Sequence, residues 1–289
     1  SQQSNYGFSG QVTLLDALVG HKNQFTSGLA YDTNRTDFQQ SSEFGYINSD
    51  RSVTGTQVMD DNANVHLKGQ ASTWSVFATD TLSMGDRWHV TLSGRYNRTH
   101  MVNADQLLPG GGPGSLDGNH VFQRLNPAIG TTYVWSPALT AYVGYNEGNR
   151  TPTSIELGCA DPTNPCKLPN AMAGDPPLKQ VVTKTWEAGL RGALSRQTQW
   201  TAGVFHAQST DDILFVAAPN ASSFGYFKNF GKTQRQGLEL GLSSQQGAWK
   251  FATHYTWLQA TYQSSEILGG NANSTNTSGN IAIQPGNTM

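Results

Sequence analysis

Residues 88–97 read Trp-His-Val-Thr-Leu-Ser-Gly-Arg-Tyr-Asn, and every second residue of this stretch is apolar or small. Trp88, Val90 and Leu92 share one face of an extended chain, while histidine, threonine, serine, arginine and asparagine occupy the other. This period of two predicts a strand with one apolar and one polar face. Such a strand suits a membrane barrel, whose outer side meets lipid and whose lumen meets water.

The same split recurs further along the chain. Residues 237–243 place three leucines on one face and Glu239 and Ser243 on the other, and residues 186–191 alternate in the same way. An unpaired carboxylate is costly in the dry interior of a sandwich but not in a hydrated lumen. The pattern therefore favours a transmembrane barrel over a soluble β-sandwich.

Short and long connections alternate between the predicted strands. Polar turns lie near residues 20, 85, 137, 197 and 247, and long Gly/Asn/Ser-rich loops lie at 38–65, 104–121, 150–181 and 212–225. Ten strands are predicted between them, at 5–17, 24–37, 66–82, 87–102, 122–135, 139–149, 182–194, 198–214, 226–245 and 248–263. We expect an all-β, antiparallel transmembrane β-barrel with short periplasmic turns and long extracellular loops. Four tryptophans beside the turns suit an interfacial girdle: Trp88, Trp135, Trp200 and Trp249.

Composition and motif content exclude several classes of function. The 289 residues are 13% charged with a formal net charge of -2, so no basic face predicts a nucleic-acid partner. No apolar run approaches the roughly 18 residues that a spanning helix needs. Nucleophile-elbow, phosphate-loop and zinc-protease motifs are all missing from the sequence, so we expect no enzyme activity and no cofactor.

Residues 139–157 carry a more specific signal. They read Leu-Thr-Ala-Tyr-Val-Gly-Tyr-Asn-Glu-Gly-Asn-Arg-Thr-Pro-Thr-Ser-Ile-Glu-Leu. The run resembles the signature of TonB-dependent outer-membrane receptors, in which a strand ends in Tyr-x-Glu-Gly-aromatic-Arg-x-Pro-Thr before a long extracellular loop. Residues 175–192, 227–242 and 123–135 are similar to further segments of that family, in the family's order. Two positions depart from the family pattern, since Asn149 replaces an aromatic residue and Gln180 a frequent proline.

The resemblance implies a function and a place in the cell. It implies an outer-membrane receptor and transporter for energy-coupled uptake of a scarce chelate, most often a ferric siderophore. The implied partners are an iron chelate or similar solute, the lipid bilayer, and the TonB complex acting through a plug domain. We expect residues 1–289 to be part of a barrel of about 22 strands, with the plug and the barrel C-terminus absent, and to form no stable pore alone.

Charged residues of the family-like strands are expected to face the lumen. There they would pair with one another or with the plug, in an architectural role. These residues are Glu147, Arg150, Glu187, Arg191 and Glu239.

Candidate ligand contacts are aromatic and histidine residues near strand ends on the long-loop side. Such side chains suit an amphipathic metal chelate, although packing within the loops or the rim is the alternative. They are Tyr46, His66, His100, His120, Phe122, Phe215, Phe224, Tyr226 and Phe227. The spacing of the three histidines matches no metal-ligand motif, so no metal site is predicted.

Cys159 and Cys166 are separated by six residues of a polar, proline-containing loop. A loop disulfide is favoured over a metal or redox pair, because no histidine lies near and the spacing is not Cys-x-x-Cys. Two other classes of protein stay open at this point: a passive porin-type or adhesin-type barrel, and a soluble β-sandwich binding module.

Overall fold

The computed structural model describes residues 1–61, 64–112, 114–158, 166–167, 178–218, 221–268 and 281–289. Ten long strands dominate this part of the chain. They are β1 (Gln2–Leu14), β2 (His21–Gln40), β3 (Val65–Met84), β4 (Trp88–Asp105), β5 (Gly118–Ser136), β6 (Leu139–Arg150), β7 (Val181–Ser195), β8 (Thr198–Ala218), β9 (Ala221–Gln246) and β10 (Trp249–Tyr262). The ten strands predicted from the alternating pattern are thereby confirmed.

The ten strands form one antiparallel meander. Each pairs with the next along the chain, from β1 with β2 to β9 with β10. Within the described residues, β1 and β10 each pair with one long strand only, so the sheet has two open edges. Adjacent strands in an antiparallel sheet need only a tight connection, and Gly85 and Gly247 supply the positive φ that two of these turns require.

Alternation divides the sheet into an apolar and a polar face. Across four neighbouring strands, Leu29, Val76, Tyr96 and Leu125 are register partners on the apolar face, and all four are exposed. Among the described residues no second layer covers this face. A dry two-layered sandwich would bury these side chains, so the arrangement excludes the β-sandwich alternative.

Three predicted loops contain more structure than their composition indicated. A small hairpin pairs Glu43–Ile47 with Val53–Met59 inside the loop 38–65. A four-residue helix, α1 (Ser154–Leu157), follows β6 within 150–181. The predicted loop 212–225 is wrong over its described residues, because β8 and β9 stay paired as far as Ala218 and Ala221. Strand-favouring residues such as Ile213 and Phe215 continue the ladder there.

Shorter elements complete the described chain. Ala17–Leu18 pairs with the start of β2, Cys166–Lys167 pairs with β9, and Glu266–Leu268 pairs with Ile281–Ile283. No helix among the described residues is long and apolar enough to cross a membrane.

Candidate functional site

The polar face is lined by hydroxyl pairs that bridge neighbouring strands. The oxygens of Thr79 and Ser93 lie 2.7 Å apart, and those of Thr73 and Thr99 lie 2.8 Å apart. Comparable pairs join Thr81 to Thr91 and Thr183 to Ser209. Cross-strand hydroxyl pairs stabilise a sheet while leaving a wettable surface, so this face has the chemistry of a hydrated lumen.

An apolar patch interrupts the polar face at its loop end. Buried Met101, Leu157 and Leu178 form its centre. We call this patch the loop-end cluster, and its partly buried members are Ala71, Phe122, Ile213 and Phe227. The cluster joins residues from β3, β4, β5, β8 and β9 to the segment that follows β6. It places aromatic side chains where the long loops meet the lumen-facing surface.

Helix α1 brings Leu157 into the loop-end cluster. Its N-cap is Thr153, which forms a reciprocal capping box with Glu156. Arg150 Nη1 donates to Glu156 Oε2 at 2.7 Å, and the amide of Asn103 donates to the carbonyl of Ser154 at 3.0 Å. These bonds hold α1 against the polar face. A helix of four residues would not be stable through helix propensity alone.

Four of the predicted ligand contacts lie at or beside the loop-end cluster. Phe122 and Phe227 pack against it, the ring of His120 stacks on Phe122 at 6.3 Å, and the ring of Phe215 meets Phe227 edge-on at 5.0 Å. Tyr226 alternates with Phe227 along β9 and pairs with Val216 instead.

The remaining predicted contacts lie elsewhere. Tyr46 is exposed in the small hairpin, and the side chain of Phe224 lies outside the described part of the structure. His66 Nε2 lies 3.2 Å from Asp37. His100 projects from the apolar face, where it meets Asn119 at 2.7 Å. Since His100 and His120 occupy opposite faces, the three histidines do not converge.

Metal-binding clusters are not found in the described part of the chain: no group of three His, Cys, Asp or Glu side chains could hold an ion. The predicted disulfide falls outside the description, because Cys159 and the side chain of Cys166 are not part of it.

Glu147 is the centre of a network of polar contacts. Its carboxylate forms an ion pair with Arg124, accepts a hydrogen bond from the hydroxyl of Tyr145 at 2.6 Å and lies 3.8 Å from Nζ of Lys184. Its side chain is only 13% exposed. A carboxylate this deeply covered requires such partners.

The register does not place Glu147 on the predicted lumenal side. It has the strand parity of Tyr145, whose partners Ile129 and Trp186 are exposed on the apolar face.

The other predicted lumenal charges behave differently from Glu147. Arg150 pairs with Glu156. Glu187 and Arg191 line a cavity of about 360 Å³ on the polar face, and Glu239 lies on the same face. No ion pair among the described residues includes Glu187, Arg191 or Glu239.

The backbone ladder between β5 and β6 stops partway. It ends at the pair Ala128 and Asn146, next to Pro127. The N–H of Val134 donates to the carbonyl of Arg87, just before β4. By alternation the odd positions of β5 therefore direct their N–H groups towards β6. Pro127 is odd and has no N–H to donate, so the ladder lacks a donor at the point where it ends.

Side chains replace the backbone bonds beyond this point. The amide oxygen of Asn149 accepts from Asn126 at 2.6 Å and from Asn97 at 3.3 Å. Nε2 of Gln180 donates to the carbonyl of Gln123 at 3.0 Å. We call this region, between the upper halves of β5 and β6, the seam. The residues of the seam on β4 and β5 were not predicted as functional. The sequence signal that could have indicated the seam was a proline inside a predicted strand.

A carboxylate organises the loop 106–117. Asp117 accepts backbone hydrogen bonds from Asp105, Gly110 and Gly111, at 2.6 to 3.1 Å. These N–H groups favour the ionised carboxylate and hold the pKa of Asp117 below its usual value. These bonds therefore fix the shape of the described part of the loop.

Comparison with known proteins identifies the family. The protein-family model described as TonB dependent receptor-like, beta-barrel, matches residues 1–287 of this chain. The chain belongs to this family, whose barrels lie in the bacterial outer membrane. The apolar face is therefore the lipid-facing side, and the polar face with its loop-end cluster is the lumenal side.

Individual relatives are more distant. The ferrioxamine B receptor of Salmonella typhimurium is 25% identical over 182 residues, which make up 62% of this chain and 22% of that protein. The ferric-catecholate import receptor Fiu of E. coli K12 superimposes with a TM-score of 0.67 at 15% identity, over 96% of this chain and 40% of that one. The copper transporter OprC gives 0.63 at 16%, over 97% and 39%. The chain thus spans well under half the length of these relatives.

Proposed function

We propose that this chain forms part of the barrel of a receptor that imports a ferric siderophore or similar iron chelate across the outer membrane. The observation that carries the proposal is the loop-end cluster, which presents Phe122 and Phe227 on the lumenal side beneath the long loops. Apolar and aromatic surface with a few polar groups suits an amphipathic chelate. Membership of the family and the match to a ferrioxamine B receptor support the same class of solute.

The proposal includes energy coupling. In the complete protein a plug domain would occupy the lumen and contact the TonB complex, and further strands would pair with the open edges of β1 and β10. Unpaired edges are costly in lipid, which supports this arrangement. We propose no catalytic activity for the chain.

Uptake by the complete protein tests the proposal. A strain without its own siderophore receptors would express the protein and receive radioactive iron as a hydroxamate or a catecholate chelate, or radioactive copper. We expect energy-dependent accumulation of one iron chelate. Accumulation that persists without the TonB complex would indicate a passive pore, and accumulation of copper alone would contradict an iron chelate as cargo.

A matched pair of variants tests the site itself. Replacing Phe122 and Phe227 by alanine should weaken binding of the transported chelate by about tenfold, since burying an aromatic side chain contributes about 1.5–3 kcal/mol. The control is Phe251→Ala, an exposed phenylalanine near the turn after β9. Equal binding by both variants would contradict the assignment of the site.

A further inference from the structure

Side-chain contacts cross from one side of the sheet to the other at the seam. Arg124 and Asn126 flank Leu125, an exposed residue of the lipid-facing side, so both belong to the lumenal side. Glu147 and Asn149 have the strand parity of the lipid-facing side. Nevertheless Arg124 forms an ion pair with Glu147, and Asn126 donates to Asn149 at 2.6 Å. A continuous backbone ladder would separate these side chains, so the seam is an opening in the barrel wall that side chains fill. We call this opening the window.

The window lies in the outer half of the membrane. Tyr133 packs on Trp88 at 4.6 Å beside the turns, and amphipathic rings collect at the level of the lipid headgroups. Gln123 precedes Tyr133 on β5 by about 33 Å of extended chain, or about 25 Å across the membrane at a tilt of about 40°. Pro127, where the ladder ends, lies about 10 Å below Gln123. The window therefore opens towards the acyl chains of the outer leaflet.

An apolar groove of about 700 Å³ begins at the window and runs down the lipid-facing side. Tyr145 and Trp186 line its upper end, and Trp88 lines its lower end. The hydroxyl of Tyr145 also donates to Glu147 at 2.6 Å, so the upper end adjoins the window. The lining between the two ends is aliphatic and includes Ile129 and Val143. No charged residue of the described chain lines this space, which we call the outer groove.

The loop-end cluster adjoins the window from the lumenal side. Phe122 of the cluster is followed directly by Gln123, whose carbonyl accepts from Gln180 in the seam. Leu178 of the cluster lies two residues before Gln180. The lumenal site, the window and the outer groove are therefore contiguous. An apolar chain attached to a solute in the lumenal site could pass through the window into the groove without entering bulk water.

An opening of this kind is costly in a membrane barrel. Leu125 has no backbone partner on β6 among the described residues, although a closed barrel pairs all such groups. Lys184 is the register partner of Glu147 and lies 3.8 Å from it, so two ionisable groups occupy the lipid-facing side. Ionisable groups in this position are expensive and mark a functional site.

We propose that the receptor takes an iron chelate with an acyl tail. The chelate lies at the loop-end cluster, and the tail passes through the window into the outer groove. This inference rests on the proposed function and names the class of solute for the same site. The hydrogen bonds of Asn149 and Gln180 close the window when no tail is present. Because the tail is held beside the chelate, its burial adds to the affinity for the chelate.

Binding of paired chelates to the complete protein in lipid nanodiscs tests the proposal. A hydroxamate and a catecholate chelate of iron are each prepared with an N-acetyl and with an N-dodecanoyl group, and empty nanodiscs correct for partitioning of the tail into lipid. The dodecanoyl form of the bound chelate should bind about tenfold or more tightly than its acetyl form. Pro127→Val restores the missing backbone donor and lets the ladder close the window, so it should bring this ratio close to one. Pro137→Ala, in the turn after β5, is the control and should keep the ratio of the wild type.

The outcomes separate this inference from the proposed function. Equal affinity of the wild type for the acetyl and dodecanoyl forms would overturn the inference alone. The same ratio in Pro127→Val as in the wild type would also overturn it, because the window would then have no part in binding. Failure of all four chelates to bind would overturn the proposed function and this inference with it.

Photocrosslinking needs no variant. A diazirine at the end of the dodecanoyl chain should crosslink to the outer groove, at residues such as Ile129 and Val143, and an excess of the acetyl form should abolish these crosslinks. Crosslinks spread over the whole lipid-facing side and insensitive to the acetyl form would show partitioning into lipid only. That result would overturn the proposal.

Discussion

Nδ2 of Asn149 donates a hydrogen bond to Oε1 of Gln180 across 2.9 Å. These are the two positions at which the chain departs from the family's sequence pattern, and they meet in the seam. Asn149 also accepts from Asn126, and Gln180 donates to the backbone of Gln123. An aromatic residue and a proline could form none of these bonds. The two departures therefore act together, closing the gap above Pro127 with side chains.

This relationship predicts a coupling between the two side chains. Asn149→Ala and Gln180→Ala should each destabilise the barrel by about 1–2 kcal/mol. The double variant should lose less than the sum, by about 0.5–1 kcal/mol, because the shared bond is lost only once. Urea unfolding of the complete protein in lipid vesicles provides the free energies.

A remote pair serves as the control for this coupling. Among the described residues, the side chain of Asn48 bonds to Ser52 and Thr54 of its own small hairpin. Combining Asn149→Ala with Asn48→Ala should give an additive loss. Full additivity of Asn149→Ala with Gln180→Ala as well would contradict the coupled seam.

Glu147 should matter more for stability than the charges of the polar face. Glu147→Gln removes the partner of Arg124 and Lys184 and leaves a partly buried guanidinium without compensation. We expect a loss of about 2–3 kcal/mol in the same unfolding experiment. Glu239→Gln, at an exposed position without an ion pair among the described residues, should change stability by less than about 0.5 kcal/mol. Equal effects would exclude the role of Glu147 as a network centre.

The loop 106–117 should keep its shape down to acidic pH. The pKa of Asp117 lies below its usual value of 3.8 because backbone N–H groups stabilise the carboxylate. Its contribution is therefore complete above the unfolded-state pKa of about 3.9, and it is lost as pH falls through the lower folded-state pKa.

A spin label at Leu107→Cys reports this transition. Its mobility should stay constant from pH 7 to about pH 4 and rise only below that range. Asp117→Asn should make the label mobile at pH 7, whereas Asp86→Asn, in an exposed turn at the other end of the strands, should not. A label that becomes mobile near pH 6 would disprove the contribution of Asp117.

Leu157 should hold α1 against the polar face. It is fully buried in the loop-end cluster, so Leu157→Ala should cost about 2–5 kcal/mol of local stability. Hydrogen exchange of the backbone amides of Leu157 and Gly158, which bond to Thr153 and Ser154, should accelerate more than tenfold. Ile155→Ala, at an exposed position of the same helix, is the control and should leave exchange nearly unchanged. Similar rates in both variants would mean that the cluster does not anchor α1.

Local periodicity was enough to predict the strands. The alternation in residues 88–97 and 237–243 reflects a constraint that acts on each strand separately, since each strand must offer one face to lipid and one to water. The parts of β8 and β9 that stay paired beyond the membrane were not predicted, because the lipid-and-water constraint does not act on them. Around Ile213 and Phe227 neither face meets lipid, so the composition resembled a loop although backbone pairing continued.

The site could be predicted only in part, because it depends on contacts between distant residues. Phe122 and Phe227 were selected from their place near strand ends, and both lie at the loop-end cluster. Met101 and Leu178 gave no signal, since their meeting depends on how the segment after β6 folds back. His100 and His120 were both candidate ligand contacts, but His120 is the register partner of Met101, so His100 lies on the opposite face.

The central claim is that one side of the sheet faces lipid and the other faces the lumen. Spin labels placed singly at each position from 238 to 243 of the complete protein in liposomes test this claim most directly. Collision rates with oxygen, which partitions into lipid, and with a water-soluble nickel chelate would be measured at every position. Labels at 238, 240 and 242 should collide mainly with oxygen, and labels at 239, 241 and 243 mainly with nickel. Uniform collision rates along the strand, or the opposite alternation, would contradict the account.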